Sequence, residues 1–262
     1  MLHSWKLRAS WWLARAFWAR KSQRRPHPGS ARHARRCAGV ADAATSWHDD
    51  SQRIATLHLE HGVVLKCGAG VERLLYQGAR AVDAILSDGK TISADVVLVA
   101  VGSQPATEWL QGSGLDLRDG VVCDAYCQAP AHVHTAGDSA SWPSARFGFR
   151  LRLEHQMNAV EQGMAAARNL LGADEAYDPV PFFWSDQYNV KIQVHGMIEP
   201  STSCRILYGE PHAGSFVVGY INARNMLRGV LGWNAAREVR KLRAQVGTTL
   251  EASTHARAVH VA

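Results

Sequence analysis

His134-Thr135-Ala136-Gly137-Asp138-Ser139-Ala140-Ser141-Trp142-Pro143 is the stretch on which the reading of this chain turns. The run before it, Ala131 to Thr135, is short and apolar enough for a buried strand. A Gly-Asp pair follows, with a proline soon after. Small-residue turns at the carboxyl ends of strands are where open α/β sheets bind ligands. Downstream, from Glu154, Met157, Val160, Met164, Ala167, Leu170 and Leu171 recur with helical period until Gly172. Asp138 is then poised over the amino end of that helix, a geometry suited to a large phosphate-bearing cofactor.

Working outward, the 262 residues leave room for one large or two ordinary domains. The formal charge of +6 is unevenly spread. Residues 1–41 hold ten of the 29 Lys and Arg and none of the 23 Asp and Glu, so the remainder has 19 basic residues against 23 acidic. The high isoelectric point therefore describes a leader, and it does not argue for nucleic-acid binding by the body. No run of about 18 apolar residues offers a membrane span. Cys123 and Cys127 form a lone C-x3-C without a second pair at zinc-ligand spacing, so no metal site is expected. Five scattered cysteines fit reduced, structural thiols and a cytoplasmic location.

Residues 1–52 read as a basic, Trp- and Arg-rich leader without a folded element, apart from a short amphipathic helix that Trp5 to Phe17 could form. A targeting leader, a basic arm and a stretch foreign to the domain behind it all fit, and the third is favoured. Ile54, Leu57 and Leu59 before Gly62 then end a helix, and Val63 to Cys67 is a strand. Gly68-Ala69-Gly70 imitates the start of a phosphate loop, but the third glycine position is Arg73 and the next residues alternate like a strand. Asp88-Gly89 between extended runs predicts a hairpin in a small antiparallel meander. Asp95 to Val101 suits a buried parallel strand, broken at Gly102-Ser103-Gln104-Pro105. Thr107 to Gln111 is a short helix and Gly120 to Asp124 a strand. Asp178-Pro179-Val180-Pro181 marks a boundary. Strands follow at 190–195, 206–209, 215–222 and 226–231. Asn234 is placed to cap a closing helix from Ala235 to Val246, and the tail beyond Gly247 reads as frayed.

Four spaced motifs now resemble one family. They are Val97-Leu98-Val99-Ala100-Val101-Gly102-Ser103-Gln104-Pro105, His134-Thr135-Ala136-Gly137-Asp138, Arg152-Leu153-Glu154-His155-Gln156-Met157-Asn158-Ala159-Val160-Glu161-Gln162-Gly163, and Phe183-Trp184-Ser185-Asp186-Gln187-Tyr188. In that order they look like the NAD(P)H-dependent ferredoxin reductases, FAD flavoproteins such as the putidaredoxin and rubredoxin reductases. The resemblance covers about residues 54–240. It implies hydride transfer from NAD(P)H to FAD, then single electrons to a small acidic ferredoxin or rubredoxin. It also implies an α/β fold: a partial pair of FAD- and NAD(P)-binding domains, followed by a smaller α+β carboxyl-terminal domain. The segments are 53–120 for the NAD(P)-type remnant, 121–178 for the FAD-type part, 179–247 for the last domain and 248–262 for a tail.

By the same resemblance, Gly137, Asp138, Glu154, His155, Gln156 and Trp184 lie on the FAD side, and Gly102 and Pro105 shape the crossover between the two nucleotide domains. Asp138 would bond the ribityl and pyrophosphate region, the helix end at Gln156 would face the pyrimidine, and Trp184 would pack beside the isoalloxazine ring. The residues themselves leave blander readings open. Asp138 could cap a turn, Glu154 could serve the helix dipole, Arg152 could be a solvated charge, and Trp184 could be core. No protein side chain is assigned a catalytic role, because the flavin carries the chemistry.

This family opens with two strand, G-x-G-x-x-G, helix units, and the sequence contains neither. The expectation is a truncated and impaired member, with weak or no FAD binding and no NAD(P)H oxidation by this chain alone. A non-catalytic ferredoxin-docking module is the alternative, with Arg224, Arg228, Arg237, Arg240 and Lys241 as its basic surface.

Overall fold

The computed structural model describes residues 32–35, 48–66, 68–94, 97, 98, 103–199 and 201–250. The chain divides into two compact units, residues 1–102 and 103–262.

In the first unit, β1 (Arg32–Arg35) pairs in parallel with β2 (Val63–Lys66), and α1 (His48–Glu60) lies between them in sequence. β1 falls inside the leader that the sequence read as having no element. Four residues of Arg, His and Ala carry no apolar alternation, so nothing announced it. The first residues of α1, 48–52, also fall inside the leader; the rest of it, and with it the Trp5–Phe17 helix, lies outside the described residues. α1 buries Ile54 and Leu57, one helical turn apart on a single face. β3 (Val71–Gln77), β4 (Arg80–Leu86) and β5 (Thr91–Ser93) form the expected antiparallel meander, turning at Asp88-Gly89, where the Lys90 amide donates to Asp88 Oδ1 at 3.1 Å. The Gly68-Ala69-Gly70 sequence runs directly into β3, and the Gly70 amide is taken by Ser87 Oγ at 3.0 Å. With no helix behind it, it is no anion site. Most of the Asp95–Val101 run, and Gly102, lie outside the described residues.

The second unit opens with β6 (Val121–Val122), β7 (Gln128–Ala129), β8 (Val133–His134), β9 (Ala140–Ser144), β10 (Phe149–Leu151) and α2 (Gln156–Leu170). β6 runs parallel to β9, and β9 and β10 form an antiparallel hairpin. One expectation changes here. Ala131–Thr135 is not a buried strand: Pro130 starts a 3-10 turn, His132 takes a left-handed φ of 61°, and only the two residues of β8 remain, paired with β7. Pro143 sits inside β9, a position that proline takes in sheets only where its missing N–H is not needed.

After Pro181 come β11 (Phe182–Gln187), β12 (Val190–Gly196), β13 (Ser203–Glu210), β14 (Ser215–Ile221), β15 (Leu227–Trp233) and α3 (Ala236–Leu242). The strands form one antiparallel sheet in the order β11-β12-β15-β14-β13. β15 is central and wholly buried. α3 presses Val239 against Gly232, where a Cβ would lie 2.8 Å from the Val239 Cβ. Asn234 is not the cap of α3. Ala235 holds that position, while Asn234, at φ 49°, accepts from the Lys191 amide at 2.8 Å and so ties the turn to β12. Nor is the start of the tail frayed: Leu227 donates to Thr248 O at 2.9 Å and Leu250 to Asn225 O at 3.0 Å. Among the described residues no helix is long and apolar enough to cross a membrane.

Candidate functional site

The amino end of α2 is the centre of the site. His155 is its N-cap in extended conformation, and its carbonyl accepts the Ala159 amide at 3.0 Å. An α-helix leaves its first N–H groups without partners inside the helix, and they carry its positive partial charge. Gln156 and Met157 are exposed at this end.

The Gly137–Ser139 turn lies against the next turns of the same helix. The Gly137 amide donates to Gln162 Oε1 at 2.9 Å, and a Cβ on Gly137 would come within 3.3 Å of the Ala159 Cβ. Small residues on both sides permit that approach. Asp138 is left exposed beside the helix start, and partial burial, with Glu154 nearby, raises its pKa above the ordinary carboxylate value.

Arg152 joins the pieces. Its Nη1 donates to the Asp138 carbonyl at 3.1 Å and to Glu154 Oε1 at 2.9 Å, and its Nε to Asp119 Oδ1 at 2.8 Å. Its side chain is only 11 % exposed, so it is a three-way clamp and not a solvated charge. Glu154 is held as its partner rather than standing free at the helix start.

The helix end meets the carboxyl-terminal sheet through His155, whose ring tilts against Phe183 at 5.5 Å. Burial pushes the His155 pKa down to about 4, with Glu154 opposing, so the imidazole is neutral. The next residue on β11, Trp184, is 42 % exposed and stacks at 5.6 Å on Phe182, which stacks at 4.6 Å on His195. His195 is buried, and its pKa is pushed down to about 4 by that burial and by the nearby Arg243 and Arg240.

Gly137, Asp138, Glu154, His155 and Gln156 thus come together, while Trp184 follows Phe183 on β11 and turns its ring to Phe182. Pro105 belongs to a separate turn, its carbonyl accepting the Thr107 amide at 2.9 Å. Gly102 lies outside the described residues. Sequence reasoning missed Asp119 and Gln162, and left Arg152 undecided. Gln162 had a readable signal: with Asn158 it places two polar residues, four apart, on the Ala-rich face of the helix, and both are buried. Asp119 had none, since a salt bridge between distant segments leaves no local pattern. One basic residue is misplaced by the sequence reading: Arg228 is 6 % exposed and cannot belong to a docking surface. Arg224, Arg237, Arg240 and Lys241 are exposed.

Among the described residues no group of three or more potential ligands could hold a metal ion. Cys123 and Cys127 are buried free thiols, and burial raises both pKa values, that of Cys123 to about 12. Such thiols are poor nucleophiles.

The Asp138 carboxylate offers an exposed acceptor and the amino end of α2 offers exposed donors, which together fit a cofactor that combines hydroxyls and anionic groups; the Trp184 indole is an exposed flat surface on β11. Residues 45–163 match the family model described as pyridine nucleotide-disulphide oxidoreductase, and residues 182–259 match that described as reductase C-terminal. The chain is 33 % identical over 165 residues to rhodocoxin reductase of Rhodococcus erythropolis, covering 63 % of this chain and 38 % of that protein. It is 32 % identical over 184 residues to the ferredoxin–NAD(+) reductase component of an anthranilate 1,2-dioxygenase system from Burkholderia cepacia, covering 70 % and 45 %. Among solved structures it resembles the ferredoxin reductase for the CYP199A2 system of Rhodopseudomonas palustris, with a TM-score of 0.75 at 27 % identity, covering 83 % and 54 %. The covalent putidaredoxin reductase–putidaredoxin complex gives a TM-score of 0.71 at 25 % identity, covering 81 % and 51 %. The chain spans less than half the length of the two reductases compared by sequence.

Proposed function

The chain belongs to the NAD(P)H-dependent ferredoxin reductase family of flavoproteins, and on that premise we propose that it takes part in electron transfer from NAD(P)H through FAD to a small acidic ferredoxin or rubredoxin. FAD, when bound, would supply the chemistry: it accepts a hydride and releases single electrons. The observation that carries the reading is the grouping of Asp138 and the Gln156 helix end around the Arg152 clamp, with the exposed Trp184 next to Phe183, which packs on His155.

In this reading the exposed Asp138 carboxylate accepts hydrogen bonds from the polyol part of the cofactor. The amino end of α2 favours negative charge gathering on the ring that faces it. Trp184 covers a ring face and keeps water away. Glu154 acts on this wall through Arg152. Neutral, half-buried His155 lends shape and no charge, so no proton transfer is assigned to it. Gly137 lets the turn lie on the helix.

Partner docking would use the exposed basic residues Arg237, Arg240 and Lys241 of α3, with Arg224. Buried, unreactive thiols at Cys123 and Cys127 suit a reducing cytoplasm. The sequence lacks the G-x-G-x-x-G loops that would hold the phosphates, so this chain alone should bind FAD weakly. A titration of the purified chain followed by flavin fluorescence tests this. Weak, saturable quenching is expected, reduced by Trp184→Ala and by Asp138→Ala. Quenching no greater than that by an unrelated protein sinks the reading, and a stoichiometric flavin band near about 450 nm in the purified chain overturns the expected weakness.

A further inference from the structure

We infer that Arg228 is a positioning residue for the wall formed by Asp138 and the start of α2, acting through the β9–β10 hairpin. The inference rests on the reading of that wall as the cofactor side.

Arg228 stands on the central strand β15 and is 6 % exposed. A buried guanidinium is costly unless paired and fully bonded. Its Nε donates to Glu199 Oε1 at 2.8 Å, which answers the charge. Its remaining nitrogens leave the sheet altogether: Nη1 donates to the Arg146 carbonyl at 3.2 Å and Nη2 to the Phe147 carbonyl at 2.8 Å. The guanidinium also lies over the Phe147 ring at 5.0 Å and the Phe149 ring at 5.9 Å. A residue needed only to fill the core of β15 would be better apolar, since a well-packed hydrophobe matches or exceeds a buried ion pair. The planar fork of arginine is what two neighbouring carbonyls require.

The same hairpin tip is held from other sides. Asp178 accepts from Ser144 Oγ at 2.5 Å and from the Arg146 amide at 2.9 Å, and Arg146 Nη1 donates to the Val246 carbonyl at 2.7 Å. From the middle of β10, Arg150 donates to the carbonyls of Cys123 and Ser141. Arg152, next after β10, holds the Asp138 carbonyl and Glu154. Three residues beyond Arg152 stands the N-cap of α2. The carboxyl-terminal sheet therefore reaches the wall through a short, stiff hairpin bonded at both ends, and Arg228 is its grip on that hairpin.

Amide hydrogen exchange on the full chain tests this without any flavin. In Arg228→Lys the charge opposite Glu199 is kept and the fork is lost. The amides of Arg146, Gly148 and Ala140 should then exchange on the order of tenfold faster, while those of Val218 and Gly219 in β14 change by less than about twofold. A second variant, Arg228→Met with Glu199→Gln, removes the ion pair as a whole and should show the same local acceleration. Two results overturn the role. One is hairpin exchange at the original rate in either variant, which would make Arg228 a charge partner only. The other is equal acceleration in β14, which would make it ordinary core. Failure here leaves the flavin titration untouched, so the two readings fall separately.

Discussion

The side-chain oxygen of Gln162 accepts the backbone amide of Gly137 at 2.9 Å, inside a protein region where Gln162 has no exposed surface. Together with the Arg152 bond to the Asp138 carbonyl, this bond holds the Gly-Asp turn in place, and it alone of the two ties the turn to the helix side chains. Gln162→Leu would leave the buried Gly137 N–H without an acceptor. Stripping a buried donor of its partner costs about 1–3 kcal/mol. Urea unfolding should show a loss of that size.

Gly120 and Gly148 both take left-handed φ, 82° and 76°, but in different surroundings. A Cβ at Gly120 would fall 2.4 Å from the Ser139 carbonyl oxygen, whereas one at Gly148 meets nothing within 4 Å. Gly148→Ala should therefore lose only the conformational term, about 1–2 kcal/mol. Gly120→Ala should lose clearly more and displace the Asp138 turn. Equal midpoints for the two variants in thermal unfolding would contradict this.

His195 and His155 have folded pKa values pushed down to about 4 from 6.5, in each case mainly by burial. Between those values the unfolded chain binds protons that the folded chain refuses, so stability rises with pH across the window. It is fully present above about pH 6.5 and is lost as the pH falls towards 4, with a slope of roughly 1.4 kcal/mol per pH unit for each histidine. Unfolding free energies at pH 7, 6 and 5 should follow that fall. His195→Leu should flatten it by about half. The imidazole nitrogens of His195 are buried and unbonded, so this variant should be at least as stable as the parent at pH 7.

Arg237, Arg240 and Lys241 present exposed positive charge on α3. Reversing two of them, Arg237→Glu with Arg240→Glu, should weaken binding of an acidic 2Fe-2S ferredoxin by on the order of tenfold or more at low ionic strength. The difference should shrink as salt shortens the screening length to about 3 Å near 1 M. Calorimetric or surface-binding titrations at two salt concentrations decide it. A salt-independent effect would point to misfolding of α3.

Much of the local structure is legible in the sequence because its causes are local. The Asp88-Gly89 hairpin, the α2 boundaries and the strands on either side of the Asn222–Asn225 turn follow from short-range pattern and turn chemistry. The failures are also physical. Ala131–Thr135 has the composition of a strand, but Pro130 and the left-handed His132 bend it first. Arg228 has the composition of a surface, but its partners Glu199, Arg146 and Phe147 lie well away in sequence. The same holds for Arg152 with Asp119 and Asp138.

By itself, the sequence determined the family, through four motifs in order, and it determined the helix and turn that carry Asp138 and Gln156. Apolar period, glycine and proline act within a few residues, so they can be read from the chain directly. Only the tertiary structure decided which arginines are buried and what they hold. A guanidinium can face water or two distant carbonyls with the same neighbours in sequence, and the choice is set by the packing of β15 against the hairpin tip and of Arg152 against the Gly137–Ser139 turn.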